Sequence, residues 1–153
     1  MKKIGRLPPT VRGRGEVGRG APLPKQSLPA RLAYLAVLLV IALVLLWHLP
    51  ALSWTRFLLA FAAIDLIGYL PGALAFKRAR GGTIAPLYHH LYNATHSFLT
   101  AGVVIAWWAA LSGFEWAMLA IPLHLCGDRA LFGNGPKPAH RPFEHSSHVA
   151  EAA

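Results

Sequence analysis

Apolar residues run along this chain in long unbroken stretches, with no period-two alternation of the kind a membrane barrel needs. Four stretches approach the roughly 20 residues, within a range of about 17–25, that a helix needs to cross a hydrocarbon core. The first is Leu32–Leu49, whose polar groups lie only on Tyr34, Trp47 and His48. The second, Phe57–Phe76, carries a single charge at Asp65. The third covers Leu91–Leu111 and the fourth Phe114–Phe132. Backbone amides in lipid must be satisfied within their own segment, so each stretch predicts a helix. Pro50–Arg56 and Ser112–Gly113 are short enough to join antiparallel neighbours, and Lys77–Pro86 forms a longer basic loop. Gly81 and Gly82 break the chain there, and Pro86 is placed to start a helix. Pro71 and Pro122 fall inside the second and fourth stretches, where a missing N–H predicts a kink. Gly133-Asn134-Gly135-Pro136 predicts the last stop.

The expected fold is therefore all-α, a four-helix transmembrane bundle over residues 32–135. A basic tail precedes it at 1–31, and a Pro- and His-containing tail follows at 136–153. Composition agrees: of 153 residues, 55% are hydrophobic and only 14% charged, well under the roughly 25% of soluble domains. The single cysteine, Cys126, excludes an internal disulfide framework, and its apolar neighbours give it a packing role.

Charge sets the expected orientation. Of 15 Lys and Arg residues, only Arg56 lies on the far side of the bundle; the rest precede the first stretch, follow the second, or flank the end of the fourth. The positive-inside rule then puts both termini in the cytoplasm. Trp47, Trp54, Trp107, Trp108 and Trp116 gather near the opposite face, as an interfacial belt does. The Arg/Gly-rich tail reads as disordered, an orientation signal and solvated segment, with attraction to anionic lipid or weak RNA binding as the functional alternatives. No aromatic residue interrupts 1–31, so the stacking platform of a single-strand nucleic-acid binder is missing.

Ionisable groups inside apolar stretches carry the chemistry. An Asp at a membrane helix centre costs about 2.5–3.5 kcal/mol on insertion scales, so it normally has a partner or a task. Counting about 1.5 Å per residue from the outer ends places Asp65, His96, His124 and Asp128 in one slab, from the mid-bilayer to its cytoplasmic half. His124 and Asp128 are spaced i, i+4 and share a face. His89, Tyr92 or Asn93, His96 and Thr100 form a polar stripe on the third helix. On the second, Asp65 accompanies Gly68, Tyr69 and Gly72, whose small residues admit a close neighbour. Three helices thus offer polar stripes at one depth. Two imidazoles and two carboxylates suit zinc, iron or manganese, with Asp65, His96, His124 and Asp128 as ligands. Two other readings stand beside it: a hydrogen-bonded polar core, for instance Asp65 with His96 and Asp128 with Arg129 or His124, and a proton path. His48 reads as an interfacial cap, and His140, His145 and His148 as residues of a solvated tail, although His148 leaves the membrane near the site's mouth.

The sequence Asp65 with Gly68-Tyr69, Tyr92-Asn93-x-x-His96, His124-x-x-x-Asp128-Arg129 and Gly133-x-Gly135-x-Lys137 resembles a family of small bacterial integral membrane proteins, a domain of unknown function with four predicted helices. Phe143 and Ser147-His148-Val149 look like its closing Phe and Thr-His-Leu elements, with Ser for Thr and Val for Leu. Asn134 and Pro136 stand where that family more often has an aromatic and a Leu, and the long basic tail is an addition. The resemblance spans roughly residues 57–149. It brings no established activity, but it implies that the Asp, His and Asn positions and His148 belong to one pattern.

Two functional expectations follow. The first is a metal-dependent hydrolase of a lipid or amphiphile reached from the cytoplasmic leaflet, in which Tyr92, Asn93 and His148 orient water or substrate and Arg129 and Lys77 attract an anionic head group. The second is a non-catalytic scaffold or partner subunit, possible as a homo-oligomer, whose polar groups only fix helix packing. A proton or ion carrier is a third, weakened by the lack of an internal repeat. Neither a phosphate-cradling loop nor a dinucleotide fingerprint is present, since Gly81-Gly82 lacks a following Lys-Ser/Thr.

Overall fold

The structure, a computed structural model, describes residues 26–144. The expectations for the basic tail over 1–25 and for His145 and His148 lie outside that range. Among the described residues the chain is helical with no strand.

Helix α1, Leu28–Trp47, opens on a proline in its first turn and runs 20 residues without a break. It begins ahead of the predicted Leu32, so Arg31 is helical rather than part of the tail. Only Leu45 of α1 is buried, while Leu32, Leu39, Val40, Leu43 and Leu46 face outward. An apolar exterior of this kind suits a hydrocarbon solvent.

A 3-10 turn at Leu49–Ala51 leads to α2, Trp54–Gly68, and after a break at Tyr69 to α3, Leu70–Arg78. The break precedes Pro71, whose ring and missing N–H interrupt the helical ladder. Arg80 (φ 50°) and Gly81 (φ 78°) turn the chain back, with the Gly81 amide closing on the Phe76 carbonyl. Helix α4, Pro86–Thr95, starts on its proline as expected.

The third apolar stretch is not one straight helix. It parts at His96–Ser97 into α4 and α5, Phe98–Ser112, bent by 58°. No Pro or Gly marks this point. Ser97 takes the N-cap position of α5, and its side chain accepts from the Leu99 amide at 3.2 Å.

The fourth stretch departs further from a single span. It is divided into a 3-10 turn at Trp116–Leu119, the 8-residue α6 at Ala120–Gly127, and a π-helical turn at Asp128–Phe132. Gly133 at φ 69° ends it, the left-handed stop predicted for that position. By length and composition, two helical runs among the described residues can cross a membrane, Leu28–Trp47 and Trp54–Arg78, or three if the bent α4–α5 pair is one span. The middle of the fourth stretch, α6, lies inside the molecule, while Phe114, Leu131 and Phe132 at its ends are exposed. Ala120, Ile121, His124, Leu125 and Cys126 are all buried, and α6 packs against α1, α2 and α5.

Three apolar clusters hold this arrangement. Leu45, Leu52, Phe57, Ala117 and Ala120 close one end. Ile64, Ala101, Ile121 and Leu125 join α2, α5 and α6 in the middle. Phe76, Tyr92 and Phe143 close the other end. Phe143 belongs to the segment after the last helix, so this part of the predicted C-terminal tail is a strap packed against α3 and α4. Gly72 makes room for it: a β-carbon there would meet the Phe143 ring at 2.3 Å.

Candidate metal centre

Each acidic and imidazole group singled out inside the apolar stretches arrives from a different structural device. Asp65 lies in α2, one turn before the Tyr69 break. His96 is the C-cap of α4. His124 projects from α6, and Asp128 opens the π-helical turn that follows. A π turn shifts side-chain register within a helix and recurs at functional sites.

Asp65, His96 and His124 converge, and Asp128 joins the group through His96. His96 Nε2 stands 3.4 Å from Asp65 Oδ1 and 3.3 Å from Asp128 Oδ2. His124 Nε2 stands 3.5 Å from the same Asp65 oxygen. Asp65, His96 and His124 each offer a ligand atom, all within 4.8 Å of one another. The histidines are enclosed, with side chains 7% and 5% exposed, whereas Asp65 is 49% exposed and forms the open side.

Hydrogen bonding orients the Nδ1 side of the His96 ring. Its Nδ1 lies 3.1 Å from the Tyr92 carbonyl, which can only accept, so Nδ1 carries the proton. Thr95 Oγ1 lies 3.0 Å from the same nitrogen, and the Tyr92 ring stacks on the imidazole at 4.0 Å. Nε2 faces the Asp65 and Asp128 carboxylates. No hydrogen-bond partner exists for it, or for either nitrogen of His124, among the described residues. Phe61 packs its edge against the His124 ring at 4.6 Å.

Charge-assisted N–H···O bonds span about 2.7–2.9 Å, shorter than any of the three contacts. Donors about 2.0–2.1 Å from one tetrahedral ion stand about 3.3–3.4 Å from each other. Imidazole nitrogens and carboxylate oxygens at this spacing could share one divalent ion. A ligating histidine that donates its other N–H to a backbone carbonyl is the usual supporting arrangement.

Arg129 does not pair with Asp128. Its guanidinium donates to Tyr34 Oη at 3.0 Å and to the His96 carbonyl at 3.0 Å, with the Phe98 ring centroid 4.4 Å away. Arg31 meets the Ala130 and Leu131 carbonyls of the π turn. Sequence reasoning missed both roles, since each depends on helices that meet only in the folded bundle.

Of the residues expected to orient water or substrate, Tyr92 is buried against His96. Asn93 is taken up in a two-way clamp: its Nδ2 donates to the Lys137 carbonyl at 2.9 Å and its Oδ1 accepts from the Lys137 amide at 2.7 Å. His89, also buried, places Nε2 3.1 Å from the Arg141 carbonyl. Tyr69 donates its hydroxyl to the Glu144 carboxylate. The Lys137 ammonium sits 4.1–5.0 Å from the ring centroids of Phe143, Tyr92 and Tyr69 and donates to the Phe143 carbonyl at 2.9 Å. Burial pushes this ammonium down to about 8, against the opposing pull of Glu144, Asp128 and Asp65. His48 lies elsewhere, stacked on Trp116, and His90, His140 and Lys77 are exposed.

Beside the cluster a cavity of about 390 Å³ runs past His96 and Asp128. Arg129, Asn134 and Asn93 line its polar part, and Phe98, Leu99, Leu125 and Pro136 its apolar part.

No family model matches the chain, and comparison with curated proteins and with solved structures returns no match.

Proposed function

We propose that this chain is an integral membrane metalloprotein, with one divalent ion held inside the bundle by His96, His124, Asp65 and Asp128. One observation carries the reading: the Nε2 atoms of two buried imidazoles face carboxylate oxygens at 3.3–3.5 Å, farther than a charge-assisted hydrogen bond. Nitrogen and oxygen donors in this mixture favour zinc, iron or manganese over magnesium or calcium.

The chemistry that fits is metal-dependent hydrolysis of an amphiphile. A bound divalent ion supplies a Lewis acid and lowers the pKa of a coordinated water. Around it, the chain encloses the histidines, keeps the Asp65 side open, and provides a cavity for substrate. Exposed Lys77, Arg78 and Arg80 mark the side of the α3–α4 turn, which the positive-inside rule assigns to the cytoplasm. Substrate would then come from the cytoplasmic leaflet.

A non-catalytic reading draws on one feature. Asn93, Tyr69 and Lys137 are engaged in contacts that hold the strap, as expected of polar groups that fix packing. Metal content separates the two. Protein purified in detergent should carry close to one equivalent of metal per chain, lost in His96→Ala and His124→Ala. Sub-stoichiometric metal in the folded wild type, after incubation with zinc, iron or manganese, would leave the packing reading alone.

A further inference from the structure

Most basic side chains of the described residues are engaged within the molecule. Arg31 holds the Ala130 and Leu131 carbonyls, Arg56 pairs with Glu115, and Arg129 binds Tyr34 and the His96 carbonyl. Lys137 lies among three aromatic rings, and Arg141 has a partner as well. Lys77, Arg78 and Arg80 are the exception. All three are exposed, without a side-chain partner among the described residues, where α3 ends and the turn to α4 begins. The acids are already committed: Asp65 and Asp128 face the histidines, Glu115 holds Arg56, and Glu144 accepts from Tyr69.

The surface leading to these cations is apolar and open. Leu74 and Leu70, 45% and 40% exposed, stand one and two turns before Lys77 and Arg78. Positions spaced i, i+4, i+7 and i+8 share one helix face. Leu87, 61% exposed, continues the apolar surface on α4 beyond the turn. An apolar strip that ends in unpaired cations matches a phospholipid with a negative head group, acyl chain along the leucines and phosphate at the end. Arg80 adds an argument of its own. Its φ of 50° is a left-handed conformation that glycine takes without strain, yet an arginine occupies the position.

We infer that the α3–α4 turn is a docking surface for anionic head groups of the surrounding leaflet, with Lys77, Arg78 and Arg80 as the contacts and Leu70 and Leu74 against the acyl chain. Charge complementarity carries it: the leaflet that the positive-inside rule assigns to this side is the anionic one. Each basic residue near such a surface is worth about fivefold in binding. The inference rests on the membrane placement of the chain and does not depend on the metal.

The test is full-length protein in phosphatidylcholine nanodiscs, carrying a fluorophore at Thr83→Cys, an exposed position of the turn. Cys126 is buried, and the wild type gives the background of its labelling. Quenching by spin-labelled phosphatidylglycerol is compared with quenching by spin-labelled phosphatidylcholine. The anionic lipid should be favoured about tenfold or more at low salt, and molar salt should screen the preference away. A fluorophore at Ser53→Cys, exposed at the other end of the α2–α3 run, should see no preference. K77Q/R78Q/R80Q should abolish the preference at the turn. Arg80→Gly, which removes one charge and relieves the left-handed backbone, should lower it about fivefold. Equal quenching by the two lipids at low salt, a preference that ignores salt, or a wild-type preference in either variant overturns the inference. Protein that fails to enter nanodiscs overturns the membrane reading instead.

Discussion

Gly68 and Thr95 meet so closely that a β-carbon built on the glycine would fall 1.9 Å from the threonine Oγ1. That hydroxyl also contacts the Leu91 and Tyr92 carbonyls and lies 3.0 Å from His96 Nδ1. The approach of α2 to α4 therefore sets the orientation of a proposed metal ligand as well as the packing of two helices.

Gly68→Ala should accordingly destabilise the protein by about 1–3 kcal/mol, the range of overpacked sites, and reduce its metal content. Thermal unfolding in detergent and metal analysis read the two effects. Adding Thr95→Ala removes the clashing hydroxyl, so the double variant should recover stability relative to Gly68→Ala. Equal or greater loss in the double variant would show that the glycine matters for some reason other than this contact.

How much of this was legible in the sequence divides along physical lines. Helix class followed from apolar length, because lipid offers a backbone no other partner. The meeting of Asp65, His96, His124 and Asp128 followed from depth, since a helix rises by a fixed step per residue. The fourth span did not follow in the expected form. Apolarity cannot tell a lipid-facing helix from an interior one, and α6 is interior. The break at His96–Ser97 was hidden for a different reason. Its one local sign, a serine at an N-cap, is common outside helix starts, and the bend is held by Arg129 on the His96 carbonyl. The strap was hidden as well: Lys137 and Phe143 looked like tail residues because their partners, Asn93, Tyr69 and Tyr92, lie far back in the chain.

Cutting the Asn93 clamp should free that strap. Asn93→Leu forfeits both hydrogen bonds to the Lys137 backbone and leaves its N–H and C=O unpaired, a loss of about 1–3 kcal/mol. Amide hydrogen exchange over residues 134–144 should speed up markedly, with α1 unchanged. Unaltered protection of the strap would mean that its other contacts, Phe143 over Gly72 and the Tyr69, His89 and Lys137 hydrogen bonds, hold it without the clamp.

The pH response of the strap has a definite sign. In the folded protein the Lys137 ammonium is lowered to about 8, below the roughly 10.4 of a free lysine. Between those values the unfolded chain holds a proton that the folded chain has released, so stability rises with pH across this window. Below about 8 both states are protonated, and the burden of burying the charge is fully present. The melting temperature of the wild type should climb from pH 8 toward pH 10 relative to Lys137→Met, which lacks the group and gives the background from other titrations. Parallel curves for the two proteins would show that Lys137 is not buried as a charge.

Removing the metal is the most direct test of what the acidic and imidazole groups do for the fold. Without an ion, the two carboxylates beside His96 Nε2 are left with only the imidazoles to balance them, so a bound divalent ion adds attraction that the bare cluster lacks. Ligand linkage adds to it: an ion present at about a thousand times its dissociation constant stabilises the folded state by about 4 kcal/mol. Chelation should therefore lower the melting temperature of the wild type by several degrees or more. Zinc should restore it, whereas calcium, which prefers all-oxygen cages, should not. His124→Ala should melt low at the outset and respond to neither chelator nor zinc. A wild type whose melting curve is indifferent to chelation, with His96→Ala melting lower all the same, would mean that the imidazoles serve the packing of the bundle and hold no ion.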